Sequence, residues 1–302
     1  MRKILSDLLV QAALQDPRII VMSGDHGYAL FDAIRKECPT QFMNCGVAEQ
    51  NMVGVAAGLA KAGFRPIVYG LAAFVPIRVL EQIKIDVCLE ELPVIFLGDG
   101  AGFVYSNLGS SHQCFEDIAA LRALPNIAIF SPADRFELSR CFNAALEIAR
   151  PSYIRLGKAD LGDVHQEGIK RVPADFVFPV IADGHENLCL ATGSMVSIIK
   201  RTIESASLAY DLYSVARLKK LEPDRLLRLS LGRKRIVVAE EHSIYGGLGS
   251  IVAEAIAGKI SIKFDCIGIQ DKFSGECGTY DHLLRYHGLD ETSLLKVLLY
   301  DA

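Results

Sequence analysis

Short, mostly apolar runs at 19–23, 66–70, 93–98, 127–131 and 152–156 alternate with stretches of helical periodicity at 4–14, 47–62, 74–91, 115–123 and 134–149. A continuous apolar run is the pattern of a strand buried on both faces, so this alternation predicts a parallel sheet with helices on either side. Several runs end in Gly or Ser and lead into Gly-rich turns, which places an expected ligand at those strand ends. Pro132-Ala-Asp134 supplies an N-cap ahead of the helix at 134–149.

Periodicity is lost over 161–186, where Gly162, Gly168, Pro173, Pro179 and Gly184 gather, and this segment is read as a linker. A second set follows, with strands at 187–192, 209–215, 235–239 and 262–267 and helices at 194–206, 222–230, 247–258 and 290–299. The fold class is therefore α/β, with two doubly wound α/β domains. A mainly parallel sheet is expected over 1–160 and a smaller mixed sheet over 187–302, in keeping with 302 residues at about 150 per domain.

With 32 basic against 36 acidic side chains and a net charge of -4, the chain lacks the basic excess that nucleic-acid surfaces use. The uncharged apolar stretch 66–77 is bounded by Arg65 and Arg78, far short of the ~20 residues of a membrane helix. The start, Met1-Arg-Lys3, opens no signal-peptide core. A soluble, cytoplasmic protein is expected. The eight cysteines form no Cys-x-x-Cys pair and read as buried free thiols. An apolar fraction of 51% leaves surface for a subunit partner.

Three segments carry residues capable of chemistry. Cys45-Gly-Val-Ala-Glu49-Gln-Asn-Met52 places Glu49 in the first turn of a helix of small apolar residues. There a carboxylate either complements the helix dipole at the surface or is a desolvated acid held to exchange a proton. Asn107-Leu-Gly-Ser-Ser-His112 presents a histidine in a Gly/Ser loop, as a capping residue or a proton-transfer group. Phe74, Arg78 and Gln82 recur every four residues on one helical face, with Phe74 either core or site. Gly246-Gly-Leu-Gly249 lacks the spacing of a phosphate loop and reads as a helix start, with no nucleotide assigned.

The ordered set Gly46-Val-Ala-Glu49-Gln-Asn-Met52, Gly58-Leu-Ala60, Phe74 to Gln82, Ser111-His112-Gln113 and Glu116-Asp117-Ile to Leu124-Pro-Asn126 resembles the pyrimidine-binding domain of transketolases. Val238-Ala-Glu-Glu-His242, Gly246 to Glu254 and Ile267-Gly-Ile-x-Asp271-x-Phe273 resemble the transketolase C-terminal domain. The resemblance runs from about residue 3 to 299. It implies thiamine diphosphate as cofactor, with Glu49 on the pyrimidine ring nitrogen, Phe74 stacked on the ring, and Arg78 and Gln82 beside it. Asp25 borders the cofactor, His112 binds substrate oxygens, and Lys158 stands where the family usually has an arginine for substrate phosphate. The beta subunit of a 2-oxo acid dehydrogenase decarboxylating component shares this plan, but Glu116 to Asn126 fits transketolases better. Retention of Glu49, Phe74 and His112 together argues against a non-catalytic scaffold.

Two departures bear on the substrate. The family's sugar-binding aspartate falls on Leu108 and its upstream phosphate-binding histidine near Gly100. Leu108 accepts no hydrogen bond, which turns the expectation toward a deoxy or modified sugar, or an acyl donor such as pyruvate. No diphosphate-binding domain, with its Gly-Asp-Gly and Asn metal motif, is read in the chain. A separate N-terminal diphosphate-binding transketolase subunit is therefore expected to hold Mg²⁺ and the diphosphate, in an α2β2 heterotetramer.

Overall fold

The computed structural model describes residues 1–165, 168–169, 172–219 and 223–300. The first sheet has six parallel strands, β1 (Ile19–Ser23), β2 (Phe42–Asn44), β3 (Arg65–Leu71), β4 (Ile95–Asp99), β5 (Ala128–Phe130) and β6 (Ser152–Leu156), in the order β2-β1-β3-β4-β6-β5. Strands β3 and β6 are buried almost throughout, which is why their sequences are largely apolar, Arg155 of β6 being the buried exception. Helices Arg2–Gln15 and Arg135–Ile148 pack on one face, and helix Glu49–Lys61 lays Met52, Val53, Ala56, Ala57 and Ala60 on the other. Burying a Met or Val side chain contributes about 1.5–3 kcal/mol each. The N-cap read at Asp134 is present, its carboxylate accepting from the Phe136 and Glu137 amides at 3.0 and 2.9 Å.

The second sheet runs β11-β10-β8-β9-β7, with β7 (Val177–Ile181) antiparallel to β9 (Tyr210–Val215) and β8 (Asn187–Ala191), β10 (Arg235–Ser243) and β11 (Lys263–Ile269) parallel to their neighbours. The mixed sheet is thus as expected, but β7 lies inside the segment read as a linker. Pro179 made that stretch look irregular, and an edge strand tolerates proline because its outer side needs no N–H donor. Residues 166, 167, 170 and 171 of that segment, and residue 222 of the expected helix at 222–230, lie outside the described residues. Strand β2 and helices Asp32–Glu37 and Tyr280–His287 were not anticipated. The helix predicted at 74–91 begins only at Ile77, as 3₁₀ over Ile77–Val79 and a wider, π-type spiral over Ile83–Cys88. Pro76 lacks an N–H and disfavours helical backbone at Val75, so Phe74 stands in the turn before it.

The two domains share a buried polar seam. Arg155 Nε donates to both oxygens of Asp117 at 3.2 and 2.9 Å, Tyr153 adds a 2.7 Å bond to Asp117, and Arg155 Nη2 donates to the Glu241 carbonyl at 2.8 Å. Glu241 in turn accepts from the Phe103 amide at 2.6 Å and the Tyr280 hydroxyl at 2.5 Å. Gly102, with φ +70°, has to be glycine: a Cβ would come within 2.0 Å of the Glu241 carboxylate. Glu240 caps helix Leu248–Ile256, accepting from the Leu248 and Gly249 amides at 2.7 and 2.8 Å. The glycines at 246–249 therefore start a helix whose N-terminus already holds a carboxylate. All eight cysteines are free; five are buried, Cys45 and Cys266 are half-buried and Cys277 is exposed. Among the described residues no helix is long and apolar enough to cross a membrane.

Candidate functional site

Carboxyl ends of β1, β2, β3 and β4 lie side by side, and the loops leaving them carry the candidate residues. Strand β2 leads through Cys45 and Gly46 into helix Glu49–Lys61, so Glu49 is its first residue. It is 3% exposed, which excludes a hydrated surface carboxylate. Arg78 Nη1 donates to Glu49 Oε2 at 2.8 Å, whereas Oε1, equally buried, has no hydrogen-bond partner. Such an open acceptor costs about 1–3 kcal/mol unless something fills it.

The Phe74 ring faces the same space. The Arg78 guanidinium stacks 3.9 Å from its centroid, and the His112 ring lies edge-on at 5.4 Å. Phe74 is only half-buried and belongs to none of the core clusters, so it is a wall of this site. His112 caps no helix; its Nδ1 lies 3.0 Å from the Ser111 hydroxyl, in a loop closed at its base by the Gly102–Cys114 backbone bridge. Gln82 Oε1 is buried without a partner on the turn after Arg78. Glu49, Phe74, Arg78 and His112 thus converge.

Asp25 sits on the exposed rim with φ +64°, its Oδ1 accepting from Asn44 Nδ2 at 3.0 Å. Lys158 is spent at the domain junction, 3.1 Å from Asp160 and 5.4 Å from the Tyr280 ring centroid. His26 went unnoticed in the sequence: its Nε2 lies 3.9 Å from Glu49 Oε1 and its ring 6.2 Å from Phe74. The available signal was a histidine in the Gly-containing turn that follows Ser23 at the end of β1.

A Gly-Asp-Gly triplet does stand in the chain, at Gly98-Asp99-Gly100, but its surroundings are not those of a diphosphate motif. Asp99 accepts from the Tyr69 and Tyr105 hydroxyls at 2.6 and 3.3 Å, and the Asn126 amide is committed to the Cys88 carbonyl at 3.2 Å. Burial pushes the Tyr105 phenol up to about 12, with Asp99 adding to the shift, so it stays a neutral donor. Among the described residues no group of three or more His, Cys, Asp or Glu is arranged to hold a metal ion. A Cβ at Gly100 would lie 1.9 Å from the Tyr105 ring, so that ring fills the space a histidine at this position would need.

The model of the family described as "Transketolase, pyrimidine binding domain" matches residues 1–163. A subunit of the apulose-4-phosphate transketolase of Phocaeicola vulgatus is 30% identical over 307 residues, covering 99% of this chain and 96% of that protein. A putative transketolase C-terminal section from Methanocaldococcus jannaschii is 31% identical over 304 residues, covering 99% and 95%. Among solved structures, one titled "Split gene transketolase, inactive beta4 tetramer" superposes with a TM-score of 0.86 at 31% identity, covering 98% of this chain and 96% of that one. On a family model that spans more than half of the chain and relatives that span nearly all of it, the protein belongs to the thiamine diphosphate-dependent transketolase family, as the C-terminal subunit of a split transketolase.

Proposed function

We propose that this chain provides the pyrimidine-binding and substrate-facing half of a site that transfers a two-carbon unit to a sugar or sugar-derived carbonyl compound. The observation that carries the reading is Glu49: one carboxylate oxygen is clamped by Arg78 and the other is buried and open. An acceptor of that kind, beside a half-buried aromatic face, fits a flat heterocycle with a protonatable ring nitrogen. When bound, thiamine diphosphate supplies the nucleophilic carbon and the electron sink.

This chain's residues then have separate tasks. Glu49 holds a proton at the ring nitrogen, Phe74 stacks on the ring face, Arg78 fixes both of them, and Gln82 Oε1 offers a further acceptor. His112 hydrogen-bonds substrate oxygens from the opposite wall. Asp25 borders the cofactor from the rim, and Lys158 offers a point charge to a substrate phosphate if it leaves Asp160. Commitment of Asp99 and Asn126 to partners within the chain supports assigning Mg²⁺ and the diphosphate to a separate subunit, in an assembly of two of each.

Leu108, 55% exposed on the turn Ser106–Leu108 in the loop that carries His112, would give the acceptor side an apolar contact. Gly100 is closed by Tyr105. Together they favour a deoxy or otherwise modified acceptor over an ordinary pentose phosphate.

The test is reconstitution with a diphosphate-binding chain. Glu49→Gln is expected to fold and assemble but to lose at least ~10²-fold in turnover, the scale of general acid–base catalysis. Near wild-type turnover in that variant would overturn the reading. A strong preference for xylulose 5-phosphate over modified sugars would overturn the substrate assignment alone.

A further inference from the structure

The loop after β1 contributes a side chain that none of the tasks above uses. His26 is held by its own backbone: its amide donates to Ser23 Oγ at 3.2 Å, and the Ser23 hydroxyl donates to the His26 carbonyl at 2.8 Å. Gly27, at φ +80°, locks the next turn, since a Cβ there would meet the Phe31 ring at 2.5 Å. The imidazole is thereby aimed at Glu49. Its Nε2 is buried with no hydrogen-bond partner and lies 3.9 Å from Glu49 Oε1, which is in the same condition.

Two open polar atoms facing each other are a costly arrangement, on the order of 1–3 kcal/mol each. The gap is about 1 Å longer than an N–H···O hydrogen bond, so a small movement of the imidazole closes it. Arg78 already occupies Oε2, leaving Oε1 as the oxygen available to both the histidine and a ligand. A carboxylate oxygen has two lone pairs and can accept from both at once.

We propose that His26 is a positioning residue for Glu49, its Nε2–H donating to Oε1 while the cofactor's ring nitrogen donates to the same oxygen. This rests on the assignment of Glu49 to the pyrimidine. With Arg78 on one oxygen and His26 on the other, both carboxylate oxygens are engaged as acceptors, the arrangement that would receive a proton-donating ring nitrogen. Glu49 then keeps one orientation, and the loop after β1 becomes part of the proton-holding machinery.

Four forms of the chain, each assembled with the diphosphate-binding subunit, provide the test: wild type, His26→Leu, Glu49→Gln and the double variant. Thiamine diphosphate affinity is measured by calorimetry, and exchange of the cofactor's thiazolium C2 proton into deuterated solvent by NMR. His26→Leu is expected to weaken binding and slow exchange roughly tenfold in the wild-type background, and less than about twofold beside Glu49→Gln. His26→Gln, which still presents an N–H, is expected to recover to within about threefold of wild type. In the chain alone, His26→Leu is expected to melt at the same or a higher temperature, because the atom removed has no partner.

Unchanged affinity and exchange in His26→Leu would overturn the inference, as would an equal loss in both backgrounds, which would mark a direct cofactor contact. A melting temperature lowered by several degrees would overturn it too, by marking a structural role. If the wild-type assembly binds no thiamine diphosphate, the reading of the site itself fails. If it binds and Glu49→Gln loses binding while His26→Leu does not, only the role of His26 fails.

Discussion

Arg78 lies with its guanidinium 3.9 Å from the centroid of the Phe74 ring, so one side chain braces the aromatic wall of the site and, through Nη1, the Glu49 carboxylate 2.8 Å away. A planar, delocalised cation does both at once, which an ammonium cannot. Arg78→Lys is expected to keep the chain folded and to weaken thiamine diphosphate binding by roughly tenfold, the loss of a partly exposed cation–π contact and one charge-assisted bond. Arg78→Leu should weaken it further. Calorimetric titration of the assembled variants checks the order.

Stability resides elsewhere, in the seam between the domains. Arg155 and Asp117 are 2% and 0% exposed. Asp117→Ala leaves Arg155 buried with a charge it cannot shed, and is expected to cost about 3–5 kcal/mol. Urea unfolding followed by circular dichroism should show a matching drop in midpoint; a change below about 1 kcal/mol would contradict the role of this pair.

Two neighbouring buried groups oppose each other in pH. Burial pushes the Glu240 carboxyl up to about 7 from 4.5, against the two backbone N–H groups it accepts from, and holds the His242 imidazole down at about 4 from 6.5. For Glu240 the folded state binds the extra proton, so its contribution falls as pH rises from 4.5 to 7. For His242 the unfolded state binds it, so that contribution rises from pH 4 to 6.5. The slopes largely cancel between 4.5 and 6.5. Glu240→Gln removes one of them, and its melting temperature is expected to climb more steeply than that of wild type across pH 4 to 6.5, by the equivalent of about 2–3 kcal/mol. Differential scanning calorimetry at half-unit pH steps reads this directly.

Under the proposed function, acceptor choice falls to Leu108. Leu108→Asp places a hydrogen-bond acceptor four residues before His112 and is expected to raise kcat/KM for hydroxylated acceptors relative to deoxy ones by at least about tenfold. The melting temperature should barely move, because the leucine is already exposed. Parallel rate measurements with a matched hydroxylated and deoxy pair decide the matter.

Most strands of both sheets were legible in the sequence because buried parallel strands leave short, largely apolar runs: 19–23 and 152–156 coincide with β1 and β6, the latter broken only by Ser152 and Arg155. Strand β2 was not, since three residues, none of them fully buried, carry no period. Glu49, Phe74 and His112 were legible through their order in a family pattern. The closeness of His26 to Glu49 was not, because no spacing links residues 26 and 49; the parallel register that sets Ser23 beside Asn44 brings them together. The irregular start of the helix after Phe74 was equally hidden, although Pro76 was the warning.

The turn Ser106–Leu108 hangs from a loop fastened on both sides, by the Gly102–Cys114 bridge at its base and by the Ser110 hydroxyl on the Ser274 carbonyl at 2.9 Å. Asn107 and Leu108 are exposed, and one backbone bond, Leu108 to Tyr105, closes the turn. Inherited changes at these two positions therefore meet little resistance from the fold, while Glu49 and Arg78 stay where they are. If the turn faces the acceptor as proposed, randomising those two codons would sample new substrate preferences within a population of variants that almost all still fold, the condition under which one catalytic apparatus diversifies into many enzymes.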